Sequence, residues 1–332
     1  MKSKLVGRIL ALSAVVLGVT GIAAAFLFVR REPGQSVSMR AVELFFRVQG
    51  KGDRTDANLL RKNYQGRVYP MVPSVSEGLR ETCEISETQV QGQTVFTLTP
   101  RQGGSGLHII YTHGGSYINE LIDPHWDIID QLIRHTGADV TVPIYSLAPE
   151  HTYKKTYSLL DEVYRTVIAS TPADNVILCG DSAGGGLALG QAMHFRDLNL
   201  PLPGRVILFS PWLDITVSNP EIPAVERFDP MLATPGPIEA GKWWAGGDDP
   251  RSSLLSPLFG NLSGLPPIDV FVGTHDITFP DTRVLKRQVA TAGGEINHYE
   301  YPGAIHVFVA ATFTPEAKDA FEKIAQAVRK NY

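Results

Sequence analysis

Two glycine-framed segments of this sequence have residue types and spacing suited to nucleophilic chemistry. In Gly180-Asp181-Ser182-Ala183-Gly184 a serine stands between glycines two residues to either side, the G-x-S-x-G pattern of a nucleophile elbow. Such a serine sits on a tight strand-to-helix turn, where the lack of a Cβ at the flanking positions lets the backbones pack and leaves the hydroxyl exposed. The second segment, His113-Gly114-Gly115-Ser116, lies upstream of that serine and after a short apolar run. When a nucleophile adds to a carbonyl, negative charge develops on the oxygen, and backbone N–H groups must already point at it. Glycines allow that close approach. Gly114 and Gly115, with Ala183 immediately after the nucleophile, are the expected oxyanion donors. The chemistry is acyl transfer through Ser182.

These residues need a scaffold, and the hydrophobic pattern supplies one. Val176-Ile177-Leu178-Cys179 before the elbow reads as a buried strand, and the segment from Leu187 to Phe195 after it reads as a helix. Cys179 is expected to be a buried free thiol, and with Cys83 as the only other cysteine no disulfide framework is expected. Further strands are expected over Leu107–Tyr111, Val140–Ile144, Arg205–Phe209, Ile268–Val272 and Ile296–Tyr301. Helices are expected near Trp126–Arg134 and Tyr157–Ala169, after Asp281, and over Pro315–Val328. Glu84–Val90 and Thr94–Leu98 alternate like paired antiparallel strands. Alternation of strands and helices implies an α/β fold, a mainly parallel sheet covered on both faces. Earlier in the chain a helix is expected over Val37–Leu60, followed by the proline-broken Tyr69-Pro70-Met71-Val72-Pro73. The interval from Pro211 to Leu265 is rich in proline and tryptophan and reads as an insertion over the sheet.

The marks together resemble one family, the hormone-sensitive-lipase-like esterases of the α/β-hydrolase superfamily. They are His113-Gly114-Gly115, the run Tyr145-Ser146-Leu147-Ala148-Pro149-Glu150-His151, Gly180-Asp181-Ser182-Ala183-Gly184-Gly185 and Ser210-Pro211-Trp212. The resemblance covers roughly residues 80 to 330. It implies the α/β-hydrolase fold with a cap, a catalytic domain over 81–332 with a cap insertion at about 211–255, and a helical cap segment over 32–80. It also implies a triad in the order Ser182, Asp276, His306. Asp276 lies in Gly273-Thr274-His275-Asp276 after a strand, and His306 in the loop Gly303-Ala304-Ile305-His306 after the last strand. Asp281 is the rival acid and is expected to cap the following helix instead. His113, Ser116, Tyr117, Asp181 and Glu150 are expected to support the site or line its pocket, Glu150 with His151 bracing the loop beneath the oxyanion strand. The family usually carries a third glycine where this chain has Ser116.

Function then follows as an expectation: a serine carboxylic-ester hydrolase acting on small or medium apolar esters. A lactone or an arylacetamide-type amide is the alternative substrate, and a small-molecule receptor on the same fold is the alternative class. No cofactor is implied. No HExxH, CxxC pair, P-loop or dinucleotide fingerprint occurs, so no metal is expected. The net charge of −4 gives no basic face for nucleic acid. The partner is therefore a small-molecule ester, and the oligomeric state is open.

The remaining signal is N-terminal. Lys2, Lys4 and Arg8 precede an uncharged stretch from Ile9 to Val29, which Arg30 and Arg31 end. Twenty-one helical residues span about 30 Å, the thickness of a bilayer core. One N-terminal transmembrane helix within residues 1–31 is expected, contacting the membrane through residues 9–29. The cationic flanks place the catalytic domain on the non-cytoplasmic side. Cleavage at Ala23-Ala24-Ala25 and secretion is the alternative.

Overall fold

The computed structural model describes residues 32–64 and 74–329. The expected membrane-spanning segment and the proline-broken stretch Tyr69–Pro73 lie outside them. Among the described residues no helix is long and apolar enough to cross a membrane.

Eight strands form one sheet in the order β1-β2-β4-β3-β5-β6-β7-β8. They are β1 (Cys83–Val90), β2 (Gln93–Pro100), β3 (His108–Thr112), β4 (Asp139–Pro143), β5 (Val176–Asp181), β6 (Arg205–Phe209), β7 (Ile268–His275) and β8 (Ile296–Ile305). The first two form an antiparallel hairpin, and β2 runs antiparallel to β4. From β4 to β8 every pairing is parallel. The hairpin turn places Gln91 and Gly92 at positive φ, the handedness that matches strand twist.

The central strands are buried on both sides, and their side chains divide by the strand period of two. Ile110, Leu178, Leu208 and Val270 face one hydrophobic cluster, built with the helices Tyr153–Ile168, Ser182–Asp197 and Phe279–Thr291. Ile109, Cys179, Ile207 and Phe271 face the other, built with Asp123–Thr136 and Pro315–Arg329. This is the doubly covered sheet that the alternating pattern implies. Cys83 and Cys179 are both free and buried.

The N-terminal segment departs from expectation. The single helix expected over Val37–Leu60 is three pieces: helix Val37–Gln49, a 3-10 turn Gly52–Thr55 and helix Ala57–Tyr64. The first ends because Gly50 adopts φ 71° and ψ 175°, a positive-φ conformation open to glycine that cannot continue the helix. Helix Ala57–Tyr64 packs on helix Pro235–Ala245 of the insertion. Arg61 grips Glu239 through two hydrogen bonds of 2.7 Å, and the rings of Tyr64 and Trp243 lie 5.6 Å apart. The two segments expected to form the cap therefore meet over the carboxyl end of the sheet.

Candidate active site

The elbow is built as its glycines require. Strand β5 turns directly into helix Ser182–Asp197, and Ser182 itself is left-handed at φ 50°, a strained conformation for a residue with a Cβ. A Cβ at Gly184 would run into the carbonyl of Thr112, and one at Gly180 into the carbonyl of Gly184. The elbow and β3 are thus in backbone contact, which brings the oxyanion loop after β3 beside the nucleophile.

Ser182, His306 and Asp276 are brought together from three strand ends. His306 follows β8 and Asp276 follows β7. Ser182 Oγ lies 2.9 Å from His306 Nε2, and His306 Nδ1 lies 3.0 Å from each oxygen of Asp276. With Nδ1–H donating to the carboxylate, Nε2 is left to accept the serine proton. All three side chains are buried. Burial pushes the imidazole pKa down, but the charges of Asp276, Asp229 and Asp181 outweigh it and hold His306 above the ordinary histidine value. The loop carrying His306 is pinned by Val307 N–H donating to Ser210 Oγ, 2.9 Å. Asp281, the rival acid, does not reach His306. It is the third residue of helix Phe279–Thr291, whose N-cap is Thr278, so Asp281 is not the cap either. Its buried carboxyl accepts from Asn219 Nδ2 at 2.8 Å, and burial raises its pKa to about 7.

The oxyanion loop corrects the expected donor set by one residue. Gly114 N–H donates to Asp181 Oδ1 at 2.9 Å, so it is already committed. The next two N–H groups, of Gly115 and Ser116, have no hydrogen-bond partner among the described residues. Gly115, Ser116 and Tyr117 all have positive φ (121°, 56°, 62°), a run that turns successive N–H groups into one concavity. The Gly115 carbonyl is fixed from behind by Ile118 N–H, Asn119 N–H and Asn119 Nδ2. Ala183 N–H lies in the first turn of its helix, where intrahelical acceptors are lacking and Asp181 provides no side-chain cap. Three N–H groups, of Gly115, Ser116 and Ala183, are the available donors. Ser116 substitutes for a third glycine without loss of an N–H.

Asp181 is the brace of this loop. Besides Gly114 N–H it accepts from Tyr111 Oη at 2.6 Å, with His125 Nε2 at 3.5 Å. Burial pushes its carboxyl up, but His125 and the hydrogen bond from Tyr111 outweigh that and hold it below the usual carboxylate range. His113 is buried, stacked on Tyr145 at 4.3 Å, and bonded through Nδ1 to Gly114 O at 2.6 Å. Burial lowers its pKa to about 3, so it is neutral. Two expected supporters sit elsewhere. Glu150 and His151 are exposed at the surface, and the oxyanion loop itself is held by Asp181 and by Tyr145, whose Oη donates to His113 O at 2.6 Å. Tyr117 does not line the pocket. It is buried flat against Trp244, with rings 4.3 Å apart, and near Trp212.

The pocket over the triad holds about 370 Å³ with its open mouth included. Ser116, Ser182 and His306 line it together with Trp212, Val217, Ile222, Leu232 and Ile277. Asp214 and Asp281 also reach it, but Asp214 is saturated by the N–H and hydroxyl groups of Thr216 and Ser218. A wider cleft of about 900 Å³ adjoins it. Asp53, Arg54 and Tyr64 line that cleft, and Ser116, Leu232 and Pro237 are common to both spaces.

Sequence reasoning missed Asp229. It is buried and accepts N–H groups of Met231, Leu232 and Ile277 at 2.7, 2.8 and 3.0 Å, tying the cap segment to the loop of Asp276. Burial and the nearby charge of Asp276 raise its pKa to about 6. The one local signal was an Asp-Pro pair, which by itself reads as a turn.

Comparison with known proteins follows the same lines. A family model described as alpha/beta hydrolase fold matches residues 109–310. An acetyl-hydrolase of Streptomyces hygroscopicus is 31% identical over 204 residues, 61% of this chain and 68% of that protein. An esterase of Acinetobacter venetianus is 28% identical over 265 residues, 78% of this chain and 84% of that protein. The crystal structure of EstE5 soaked with ethyl alcohol is 26% identical, covers 90% of this chain and 99% of its own, and superposes with a TM-score of 0.78.

Proposed function

Because the chain belongs to the hormone-sensitive-lipase-like esterases of the alpha/beta hydrolase fold, we propose that it hydrolyses carboxylic esters through an acyl-enzyme on Ser182. The observation that carries this reading is the continuous relay Ser182 Oγ, His306 Nε2, His306 Nδ1, Asp276, set beside three unpartnered N–H groups. As Ser182 Oγ attacks the ester carbonyl, His306 takes its proton and the imidazolium is stabilised by Asp276. The N–H groups of Gly115, Ser116 and Ala183 receive the developing oxyanion. Collapse expels the alcohol, which takes the proton from His306. Water then attacks the acyl-enzyme, again losing its proton to His306, and the acid leaves as Ser182 recovers its own.

The apolar walls of Trp212, Val217, Ile222, Leu232 and Ile277 favour a small or medium apolar acyl or alcohol group. The apolar stretch 9–29 anchors the chain in a membrane, with the catalytic domain on the non-cytoplasmic side. A p-nitrophenyl ester series from acetate to palmitate, with Ser182→Ala alongside, tests the assignment. Turnover is expected on the shorter esters and a loss of about 10⁶-fold in kcat in the variant, as for other serine hydrolases stripped of the nucleophile. A variant as active as the parent overturns the assignment. A folded parent inert on every ester moves the substrate to a lactone or amide.

A further inference from the structure

Helix Val37–Gln49 carries apolar residues on its exposed side as well as on its buried one. A surface helix of a globular protein buries its apolar stripe and shows water its polar face. Here Met39 and Leu44 are buried together with Arg40 and Glu43, while Val37, Ala41, Phe45 and Val48 form an exposed apolar row that ends beside the exposed Gln49. Val37 is 60%, Phe45 53% and Val48 72% exposed. Their spacing of four, four and three residues puts them on one side of the helix. The burial of Glu43 is built, not accidental: it accepts from Gln35 Nε2 at 2.8 Å and Arg47 Nη2 at 2.6 Å, with His275 Nδ1 at 3.1 Å. Gln35 Nε2 also donates to Gly303 O, and Ser36 N–H to Glu316. These contacts hold the helix in the one rotation that aims its apolar stripe at solvent.

The patch continues beyond the helix. Arg47 Nη2 donates to the carbonyl of Phe228, whose ring is 40% exposed. The exposed Arg227 guanidinium covers that ring at 4.5 Å and His275 stacks on it at 5.3 Å, while Arg47, paired with Glu43, then Lys51 and Arg54 follow the stripe along the chain with Asp53 and Asp56 between and after them. An apolar surface with the exposed Arg227 and Arg54 at its edge fits a lipid surface, where rings and aliphatic side chains enter the acyl boundary and cations meet headgroups. The chain outside the described residues says which surface lies nearby. The bilayer-length apolar stretch ends at Val29, and at about 3.4 Å per residue the eight steps to Val37 reach at most about 27 Å. The chain also turns back at Glu32, where Gln35 N–H donates to Glu32 O at 3.0 Å, which shortens the reach.

We propose that Val37, Phe45, Val48 and Phe228 form a membrane-docking face that seats the catalytic domain on the same bilayer residues 9–29 enter. This rests on the anchoring reading above and extends it from a tether to a fixed orientation. The turn Gly52–Thr55 that follows the helix lines the wide cleft leading to Ser116, so docking sets that cleft beside the lipid. The substrates favoured are esters dissolved in the membrane, entering the cleft from its surface.

The full chain, reconstituted in phosphatidylcholine–phosphatidylglycerol vesicles, tests this by Val48→Cys carrying an environment-sensitive fluorophore. Cys83 and Cys179 are buried, so the introduced thiol is the one labelled. Gln288→Cys, exposed on a helix on the opposite face of the sheet, is the control. Blue-shifted emission at position 48 and quenching by nitroxide-bearing acyl chains, with neither at 288, is the expected result. Water-like emission at both positions in protein that floats with the vesicles overturns the docking face and leaves the anchor standing. Protein that does not float overturns both. Shielding at 48 that grows with protein concentration and ignores lipid quenchers assigns the face to a second copy and overturns the proposal. Phe45→Ser/Val48→Ser is expected to lose turnover of a vesicle-dissolved ester while keeping that of a water-soluble one.

Discussion

At the scale of single residues, the site depends on which backbone and side-chain groups are already committed. Asp181 holds Gly114 N–H, and so determines that Gly115 and Ser116 present theirs. Asp181→Ala removes the tether and leaves Tyr111 Oη without its acceptor. We expect kcat to fall by about a hundredfold with KM little changed, because the donors are misplaced rather than the pocket. Equal changes in KM and kcat/KM with kcat intact would contradict this. His306 supplies a second prediction. As the proposed general base it works only when neutral, and its pKa is held above the ordinary histidine value of 6.5. Esterase kcat/KM should therefore rise with pH along an acid limb whose midpoint lies above 6.5. A midpoint below that value would mean that burial, and not Asp276, dominates the imidazole.

At the scale of elements, strand β5, helix Ser182–Asp197 and strand β3 meet at backbone distance. The contact leaves no room for a methyl group on Gly184, whose Cβ would occupy the position of the Thr112 carbonyl. Backbone atoms cannot swing aside as a flexible side chain can. Gly184→Ala should cost about 3 kcal/mol or more in denaturant unfolding, at the top of the overpacking range. Retention of near-parental stability would show that β3 and the elbow shift together more easily than their hydrogen-bonded pairing suggests. The same scale explains the N-terminal segment. Helical periodicity was legible there, but its breaks lie at Gly50 and at the extended Asp56, which the apolar spacing does not report.

At the scale of the whole molecule, the cap and sheet together bury titratable groups that belong to different parts of the chain. Asp281, beneath Asn219 of the insertion, has its pKa raised from 3.8 to about 7 by burial. A folded-state pKa above the unfolded value means that the folded protein holds the proton more tightly. The contribution to stability is full below about pH 4 and is lost as pH rises to about 7. Asp281→Asn, which keeps an acceptor for Asn219, should flatten the fall in melting temperature across that window. An unchanged slope would place the titration elsewhere, with Asp229 at about 6 the next candidate.

The sequence by itself determined what is local and periodic. Alternation of strands and helices and the G-x-S-x-G turn were legible, because a turn type or a helical period is written in adjacent residues, whereas the order Ser182, Asp276, His306 came from the family resemblance. Only the tertiary structure decided which groups from distant segments are spent on one another. Gly114 N–H is occupied because strand β3 pairs with β5 and brings Asp181 across 67 residues. Asp229 reaches the loop of Asp276 from the insertion, and Glu43 faces inward because His275 and Arg47 are there to meet it. Glu150 stands exposed although its motif suggested a brace. Hydrogen-bond partners chosen across the sheet depend on register and packing, and no spacing along the chain encodes them.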